Sequence, residues 1–123
     1  MPPEIENMNN NEDNYRSWGF YEILSDKDDH KVKRITVYPG KRCSLQRHKK
    51  RSEHWYILQG CGIVYLNDKK INIEKGASVD IEVCDIHRIE NIGKGDLVLI
   101  EVQSGEYFGE DDIERLEDDF GRV

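Results

Sequence analysis

Four side chains with nitrogen or oxygen donor atoms are spaced so that they could bind one divalent metal ion. Gln46 and His48 are two residues apart in a β-prone run, so their side chains point to the same face of a strand. Glu53 follows a basic turn, and His87 lies in a later β-rich run. Amide, imidazole and carboxylate groups suit divalent first-row metals, although Gln46 could orient a bound water instead. The sequence therefore predicts a metal site formed by Gln46, His48, Glu53 and His87.

The elements that must position these residues are short β-strands. Aromatic and β-branched residues cluster in short runs from Tyr15 onward, and the runs end in Gly, Asn-Asp or Lys-Gly, which are typical turn residues. This regular punctuation predicts an all-β sandwich or barrel with one face of each strand turned inward. Ile113, Leu116 and Phe120 instead follow a helical spacing behind three acidic residues, which predicts a short C-terminal helix.

Length and composition favour one domain and exclude several partners. The 123 residues suit a single domain, which we expect to span 15–123, after a flexible tail over 1–14 that is rich in Asn, Pro and acidic residues. The net charge of −7 argues against nucleic acid, which requires a basic surface. No apolar run reaches the roughly 18 residues of a membrane span, so a membrane partner is not expected either.

The cysteines indicate a reduced protein. Cys43, Cys61 and Cys84 are odd in number and form no CxxC pair. Neither a disulfide framework nor a thiolate zinc site is therefore predicted. A cytoplasmic protein is the expectation.

Two blocks of the sequence resemble the metal-binding motifs of the cupin superfamily. The residues that match the first motif are Gly40, Gln46, Arg47, His48, Glu53 and Gly60. The residues that match the second motif are Gly76, His87 and Asn91. Gln46 stands where most cupins have histidine, and Glu82 and Cys84 replace a usual Pro and Gly. The resemblance implies a double-stranded β-helix, or jelly-roll barrel, that holds the metal inside.

A closer resemblance extends from about residue 15 to residue 123. The matching blocks are Arg16-Ser17-Trp18-Gly19, Val32-Lys33-Arg34-Ile35-Thr36-Val37, Ser44-Leu45-Gln46, Arg51-Ser52-Glu53-His54-Trp55, His87-Arg88-Ile89-Glu90-Asn91, Glu101-Val102-Gln103-Ser104-Gly105, Gly109-Glu110-Asp111-Asp112-Ile113 and Gly121-Arg122-Val123. They resemble the C-terminal cupin domain of the type II mannose-6-phosphate isomerases, which is commonly fused to a mannose-1-phosphate guanylyltransferase. The chain contains no Gly-rich nucleotide loop, so guanylyl transfer is not expected of it.

This resemblance implies a metal-dependent aldose-ketose isomerase that interconverts mannose 6-phosphate and fructose 6-phosphate, with a small phosphorylated sugar as its partner. One divalent ion, zinc first and manganese, cobalt, nickel or iron as alternatives, would act as a Lewis acid. Arg51 would bind sugar oxygens, the phosphate or developing charge. His54 is a candidate proton carrier, although strand alternation puts it opposite Glu53. Arg88 would orient the neighbouring ligand or reach the substrate.

The sequence leaves other functions open. A non-catalytic sugar or sugar-nucleotide binding module that partners a separate guanylyltransferase is the main alternative, and another cupin activity, such as an oxygenase, is a third. The densest basic cluster consists of Arg42, Arg47, Lys49, Lys50 and Arg51. It would suit a phosphate, and a solvated basic turn is the alternative. Sheet edges that can pair between subunits predict a homodimer.

Overall fold

A computed structural model describes residues 14–122 of the protein. These residues form eleven β-strands: β1 (Tyr15–Arg16), β2 (Gly19–Asp26), β3 (Lys31–Val37), β4 (Leu45–Arg47), β5 (Arg51–Gln59), β6 (Cys61–Leu66), β7 (Lys69–Glu74), β8 (Ser78–Ile81), β9 (His87–Asn91), β10 (Leu97–Gly105) and β11 (Glu114–Glu117). Within this range no helix has the length and apolar character needed to span a bilayer. The predicted tail over 1–14 lies almost entirely outside the described residues and, like the domain bounds, stays a prediction.

The strands form two antiparallel sheets that enclose one interior. The six-stranded sheet has the order β1-β2-β3-β10-β5-β8, and the five-stranded sheet has the order β11-β4-β9-β6-β7. Side chains alternate along β5, where Glu53, Trp55 and Ile57 are buried and His54 and Tyr56 are exposed. This alternation gives each strand one inward face, and it confirms the predicted all-β barrel.

The apolar core occupies one end of the interior. Its fully buried members include Val37, Ile57, Val64, Leu97 and Leu99. They come from strands of both sheets, so their packing joins the sheets, and each such side chain stabilises the fold by roughly 1.5–3 kcal/mol when buried. At the other end of the barrel, several of the same strands turn polar side chains inward.

The predicted C-terminal helix is wrong. Glu114–Glu117 form a strand that pairs with β4, with Arg115 opposite Gln46. Pairing satisfies backbone groups of β4 that would otherwise lie at an open sheet edge. The apolar residues behind the helical spacing add little buried surface to the fold, since Leu116 and Phe120 remain 36% and 37% exposed. A partner far away in sequence therefore overrides the local periodicity.

Candidate metal site

Three buried side chains from different parts of the barrel bring donor atoms together at the polar end. His48 directly follows β4, Glu53 lies on β5 and His87 begins β9. One ligand atom from each residue lies within 4.8 Å of the others. The Nε2 of His48 is 3.3 Å from Oε2 of Glu53, and the Nε2 of His87 is 3.8 Å from Oε1. The structure thus brings together three of the four residues of the predicted site.

Hydrogen bonds on the far side of both imidazole rings fix how the rings face Glu53. Nδ1 of His48 lies 2.7 Å from the carbonyl oxygen of Asp112, and Nδ1 of His87 lies 2.9 Å from that of Asp85. Because a carbonyl oxygen only accepts, Nδ1 donates in each ring, and Nε2 of the neutral ring keeps its lone pair. Both lone pairs therefore lie on the side of the carboxylate, as in metal-binding histidines.

Burial keeps the two histidines neutral. Together with the nearby charge of Arg51, it lowers the pKa of His48 to about 4. Burial also lowers the pKa of His87. At neutral pH their contacts with Glu53 are therefore those of neutral imidazoles and not salt bridges. Both Nε2 atoms are available to a metal ion, which binds only the unprotonated ring.

The carboxylate of Glu53 is held by two hydrogen-bond donors. Nε of Arg51 donates to Oε2 at 2.9 Å, and Nε1 of Trp55 donates to Oε1 at 3.1 Å. Only 1% of the Glu53 side chain is exposed, so its charge requires compensation from its neighbours. Two neutral imidazoles and one buried carboxylate form a donor set that fits a divalent metal ion.

The turn before β9 ties the two histidines together. Cys84 adopts a left-handed backbone with φ of 69°, at a position where the cupin motif has Gly. Its amide donates to the carbonyl oxygen of His48 at 2.8 Å, and the amide of Glu82 donates to Asp85 at 2.8 Å. These bonds stabilise the turn with a non-glycine residue and hold His87 in position.

Gln46 lies at the edge of the cluster. Its backbone pairs with that of His87, and its side chain lines the same cavity. Its amide nitrogen donates to the carbonyl and hydroxyl oxygens of Ser44, at 3.2 and 3.1 Å. A role as fourth ligand would therefore fall to the amide oxygen, and it stays a prediction.

The cluster lines a cavity of about 110 Å³ inside the barrel. Its apolar and aromatic walls include Trp18, Tyr21, Ile35, Trp55, Ile89 and Leu99. Charged side chains other than the three donors also line it, namely Arg16, Lys33, Arg51, Glu101, Glu110, Arg115 and Arg122. Apolar walls with a few convergent polar groups are typical of sites for small molecules.

Among the three predicted catalytic residues, Arg51 lies in this cavity. Its side chain is buried, and besides its bond to Glu53 it donates to the carbonyl oxygen of Gly109 at 3.4 Å. Its NH2 group lies 3.4 Å from Nε2 of His48. The structure thus places a fixed guanidinium directly beside the three metal-binding candidates.

His54 and Arg88 do not lie in the cavity. Strand alternation turns His54 to the outer face of β5, where its side chain is 48% exposed and its Nδ1 lies 2.6 Å from Asp80. Arg88 is buried, and donates to the carbonyl oxygen of Cys43 at 3.1 Å and to Glu117 at 3.2 Å. Neither residue is placed to touch a ligand in the cavity, whereas Arg88 ties β9 to β11.

Sequence reasoning missed a second buried carboxyl group beside the site. Glu101 on β10 accepts hydrogen bonds from Nε1 of Trp55 at 3.2 Å and from Nε2 of Gln103 at 2.6 Å. Burial, together with the negative charge of Glu53, raises the pKa of Glu101 to about 7. The signal that could have found this residue is the alternation within the run LVLIEVQSG, which puts it on the inward face.

The acidic segment 110–112, which the sequence indicates as a helix start, instead closes one side of the site. Glu110 lies 2.6 Å from the ammonium of the buried Lys33. The carboxylate of Asp112 accepts two backbone hydrogen bonds from the basic turn, at 3.0 and 2.9 Å, while its carbonyl oxygen holds His48. These acids therefore position site residues from the segment between β10 and β11.

Comparison with known proteins identifies the family to which the chain belongs. Residues 4–118 match the family described as mannose-6-phosphate isomerase C-terminal. The chain is 48% identical over 109 residues to the alginate biosynthesis protein AlgA of Pseudomonas aeruginosa, covering 89% of this chain and 23% of that protein. It is 43% identical over 108 residues to a mannose-1-phosphate guanylyltransferase of Klebsiella pneumoniae, covering 88% and 23%. The chain thus spans about a quarter of the length of these curated relatives.

Solved structures share the fold. A double-stranded β-helix protein from Klebsiella pneumoniae matches with a TM-score of 0.73 at 14% identity, covering 86% of this chain and 93% of that one. The cupin domain of Schizosaccharomyces pombe Cnp3 matches with a TM-score of 0.70 at 18% identity, covering 75% and 68%. At such identities the likeness shows the fold alone, and it confirms the predicted cupin barrel.

The prediction of a self-contained mannose-6-phosphate isomerase is wrong. The relatives contain the matching segment within much longer chains, and their names refer to alginate biosynthesis and to a guanylyltransferase. The alternative, a module that works with a guanylyltransferase, fits in part, although the segment there lies within the guanylyltransferase polypeptide itself. This chain belongs to the mannose-6-phosphate isomerase C-terminal family, and its barrel is a cupin.

Proposed function

We propose that this chain is a metal-binding cupin domain that recognises a small phosphorylated sugar for a mannose-1-phosphate guanylyltransferase system. The observation that carries the proposal is the convergence of His48, Glu53 and His87 with the buried guanidinium of Arg51 in one cavity. Three protein ligands beside an open space are typical of sites where a bound metal also contacts a small molecule. The names of the family and its relatives supply the class of sugar, a mannose phosphate.

The metal would be held by the two histidines and Glu53, with the amide oxygen of Gln46 as the fourth ligand. A divalent ion bound there would act as a Lewis acid toward an oxygen atom of the sugar. Zinc is our first assignment because it readily takes nitrogen and carboxylate ligands, and manganese, cobalt, nickel and iron accept the same donors.

Arg51 has two tasks in this proposal. Through Nε it holds Glu53 at 2.9 Å and so fixes the orientation of the carboxylate. Its charge also attracts an anionic oxygen of the ligand into the cavity, where few water molecules screen the interaction. The planar guanidinium suits this second task because its N–H groups match phosphate and carboxylate oxygens.

The proposed assembly is a homodimer without nucleic-acid or membrane partners. The strands that end the two sheets of the described residues are β1, β8, β7 and β11, and pairing of such edges between subunits is favourable. The net charge of −7 disfavours nucleic acid. Sedimentation at micromolar concentration tests the dimer, and a monomer would contradict it.

Metal content is the first test of the proposed function. Elemental analysis of protein purified without added metal should find about one divalent ion per chain. His48→Ala and His87→Ala should each lose most of this metal. His30→Ala is the matched control, because His30 contacts Ser25 and Asp29 and does not line the cavity. Equal metal content in all three variants would contradict the site.

Sugar-phosphate binding is the second test. Calorimetry with mannose 6-phosphate and mannose 1-phosphate should detect binding to the metal-loaded protein. A chelator should weaken this binding, and added zinc should restore it. Metal-loaded protein that binds neither sugar phosphate would contradict the proposed ligand and leave the metal site standing.

A further inference from the structure

The basic turn of the sequence does not supply the cavity with a free cluster of cations. Arg42 donates two hydrogen bonds to Asp119, at 2.7 and 2.9 Å, and Arg47 lies 2.7 Å from Glu114. Of the five basic residues in that cluster, Arg51 alone lines the cavity described within residues 14–122. The basic turn therefore offers a phosphoryl group in this cavity one cation, Arg51, whose Nε already donates to Glu53.

Three further arginines line the cavity, one from strand β1 of the six-stranded sheet and two from the C-terminal segment that contains strand β11. Arg16 lies on β1, Arg115 lies on β11, and Arg122 follows β11 in the chain. Arg16 and Arg122 also line a neighbouring surface groove together with Tyr15 and Phe120. Their presence in both linings places them where the cavity meets the solvent.

Strand β11 points Arg115 into the cavity. Its backbone lies opposite that of Gln46, while Glu114 lies opposite Arg47. Residues opposite each other in an antiparallel pair share one face. Gln46 lines the cavity, whereas Glu114 and Arg47 form an ion pair on the outer side. The replacement of the expected helix by a strand is therefore what brings Arg115 to the site.

The distance from Arg115 to the metal-binding candidates suits one sugar phosphate. Arg115, Gln46 and His87 are successive partners across β11, β4 and β9. Neighbouring strands lie about 5 Å apart, so about 10 Å separates the backbones of Arg115 and His87. A hexose with one phosphoryl group can bridge this gap, with its ring against Gln46.

Arg115 differs from two other cations of the cavity in its hydrogen-bond partners. Lys33 and Arg51 each contact a carboxylate, at 2.6 and 2.9 Å. Nε of Arg115 is buried, and it meets no hydrogen-bond acceptor in the described part of the chain. Burial, and then the positive charge of Arg122, lowers the pKa of Arg115. An anion that reaches a guanidinium in this position would be bound favourably, because it would accept the unpaired N–H and compensate the positive charge.

We propose that Arg115 is the main phosphate-binding residue of the domain and that Arg16 and Arg122 complete the subsite. This inference rests on the proposed function, since it places the phosphoryl group of the same ligand. A phosphoryl oxygen accepts the buried N–H of Arg115 and offsets the repulsion among the guanidiniums. Arg122 is held in place by Asp118, whose carboxylate lies 2.6 Å from its Nε.

Calorimetry on matched variants of the metal-loaded protein tests this subsite. Arg115→Gln should weaken binding of mannose 6-phosphate or mannose 1-phosphate by about tenfold or more, because a charge-assisted hydrogen bond is lost. Arg115→Lys should recover part of the affinity, since it keeps the charge and loses the planar fork. Arg47→Gln is the control from the neighbouring strand, and its affinity should stay within about twofold of wild type. The sugar phosphate whose binding weakens more in Arg115→Gln is the one whose phosphoryl group contacts this subsite.

Metal content and melting temperature separate a binding role from a structural one. Arg115→Gln should keep the metal and melt no lower than wild type, because the removed group has an unpaired buried N–H. If wild type binds sugar phosphate and Arg115→Gln binds it equally well, the inference is wrong, and a loss of binding in Arg47→Gln would then assign the subsite to the basic turn. If wild type binds no sugar phosphate, the proposed function fails, and titration with inorganic phosphate still decides the subsite. If wild type binds inorganic phosphate and Arg115→Gln does not, the result would support the proposed subsite. If wild type binds no phosphate, the result would overturn the subsite.

Discussion

The two ends of the barrel interior are built by the same strands from opposite kinds of residue. Strands β3, β10 and β5 place Ile35, Leu99 and Ile57 side by side in one inward-facing row. The next two inward rows along these strands contain Lys33, Glu101 and Trp55, and then Lys31, Gln103 and Glu53. One step of strand alternation therefore separates an apolar core from a polar cavity.

This contrast separates residues that stabilise the fold from residues to which we assign a role in binding. The apolar rows stabilise the barrel by burial alone, at about 25 cal/mol per Å² of apolar surface. The polar rows include Lys33, Glu101 and Gln103, none more than 5% exposed. Such groups cost free energy to bury unless they are paired, and apolar replacements of similar volume are often as stable or more so. Their position beside the cavity supports the function that we propose for that end.

Arg51→Met should destabilise the protein more than any other substitution at the polar end of the barrel that we consider. The substitution leaves the buried carboxylate of Glu53 without its cation, and such a loss typically costs about 3–5 kcal/mol. In a chelator the full cost should appear. With zinc the cost should be smaller, because the bound ion would compensate the same carboxylate. Urea denaturation with and without chelator measures both values.

A matched control for this variant is available on the outer surface. Arg34 contacts Glu22 at 3.0 Å, and its side chain is 40% exposed. Arg34→Met should lower the free energy of unfolding by less than about 1 kcal/mol, with or without metal. A cost for Arg51→Met that zinc does not change would show that Glu53 is not shared between Arg51 and a metal ion.

Ile57→Ala tests the apolar end in the same way. Ile57 is fully buried in the core and does not line the polar cavity, so the void left behind should lower the free energy of unfolding by about 2–5 kcal/mol. The metal content of the folded variant should equal that of wild type, because the side chain carries no donor atom. Denaturation and elemental analysis of the same sample check both parts. Loss of metal from the folded variant would show that the two ends are not independent.

Much of the polar end could be predicted because its donors lie at short spacings or in recognisable motifs. The two-residue spacing of Gln46 and His48, and the alternation that separates Glu53 from His54, are local features of single strands. The structure places all four of these residues on the faces that these features indicate. Local alternation would also have identified Glu101 as an inward residue.

The rest depends on contacts between segments that are far apart in the sequence. Lys33 and Glu110, which form a close ion pair, are 77 residues apart. Arg115 reaches the cavity because its strand pairs with β4, and the spacing of apolar residues around it favours a helix instead. No periodicity in a single sequence encodes either pairing, so the phosphate subsite that we propose could not be found without the topology.

Loss of Lys33 and loss of Glu110 should destabilise the protein by different amounts, although the two residues form one ion pair. Glu110→Gln removes the carboxylate that compensates the buried ammonium of Lys33, and this should cost about 1–2 kcal/mol after allowance for solvent screening. Lys33→Met should cost less than about 1 kcal/mol, because the Glu110 side chain is 45% exposed and water can hydrate it. Urea denaturation at pH 7 compares the two variants. A larger cost for Lys33→Met would contradict this account of the pair.

The same pair predicts how stability depends on pH. Burial acts to raise the pKa of Glu110, but the positive charges of Lys33 and Arg51 outweigh it and leave the pKa below its ordinary value of 4.5. A carboxyl group with a lowered pKa in the folded state stabilises the fold above its unfolded pKa and loses this contribution as the pH falls. The difference in stability between wild type and Glu110→Gln should therefore be complete at pH 7 and shrink below about pH 4.5. A difference that stays constant to pH 3 would contradict the pairing.

The smallest effect concerns Cys43, which lies at the boundary between the two ends. It belongs to the apolar core and also lines the cavity, and the amide of Ile89 lies 3.3 Å from its Sγ. Burial raises the pKa of this thiol from its ordinary value of 9.0 to about 11. Cys61 and Cys84 are exposed. Because the thiolate is the reactive form, a disulfide reagent at pH 8 should modify these two thiols quickly and Cys43 only when the protein unfolds.

A variant that carries both Cys61→Ser and Cys84→Ser isolates the buried thiol. At a reagent concentration high enough for labelling to outpace refolding, its labelling rate at pH 8 should equal the rate of unfolding, and urea should accelerate both in parallel. Since ionisation of Cys43 is disfavoured in the folded state, the stability of this variant should fall as the pH rises from about 9 toward 11. Rapid labelling of the folded variant at pH 8 would mean that solvent and reagent pass through the cavity to the edge of the core. In that case the apolar rows would not seal the barrel, and the division between the two ends would have to be abandoned.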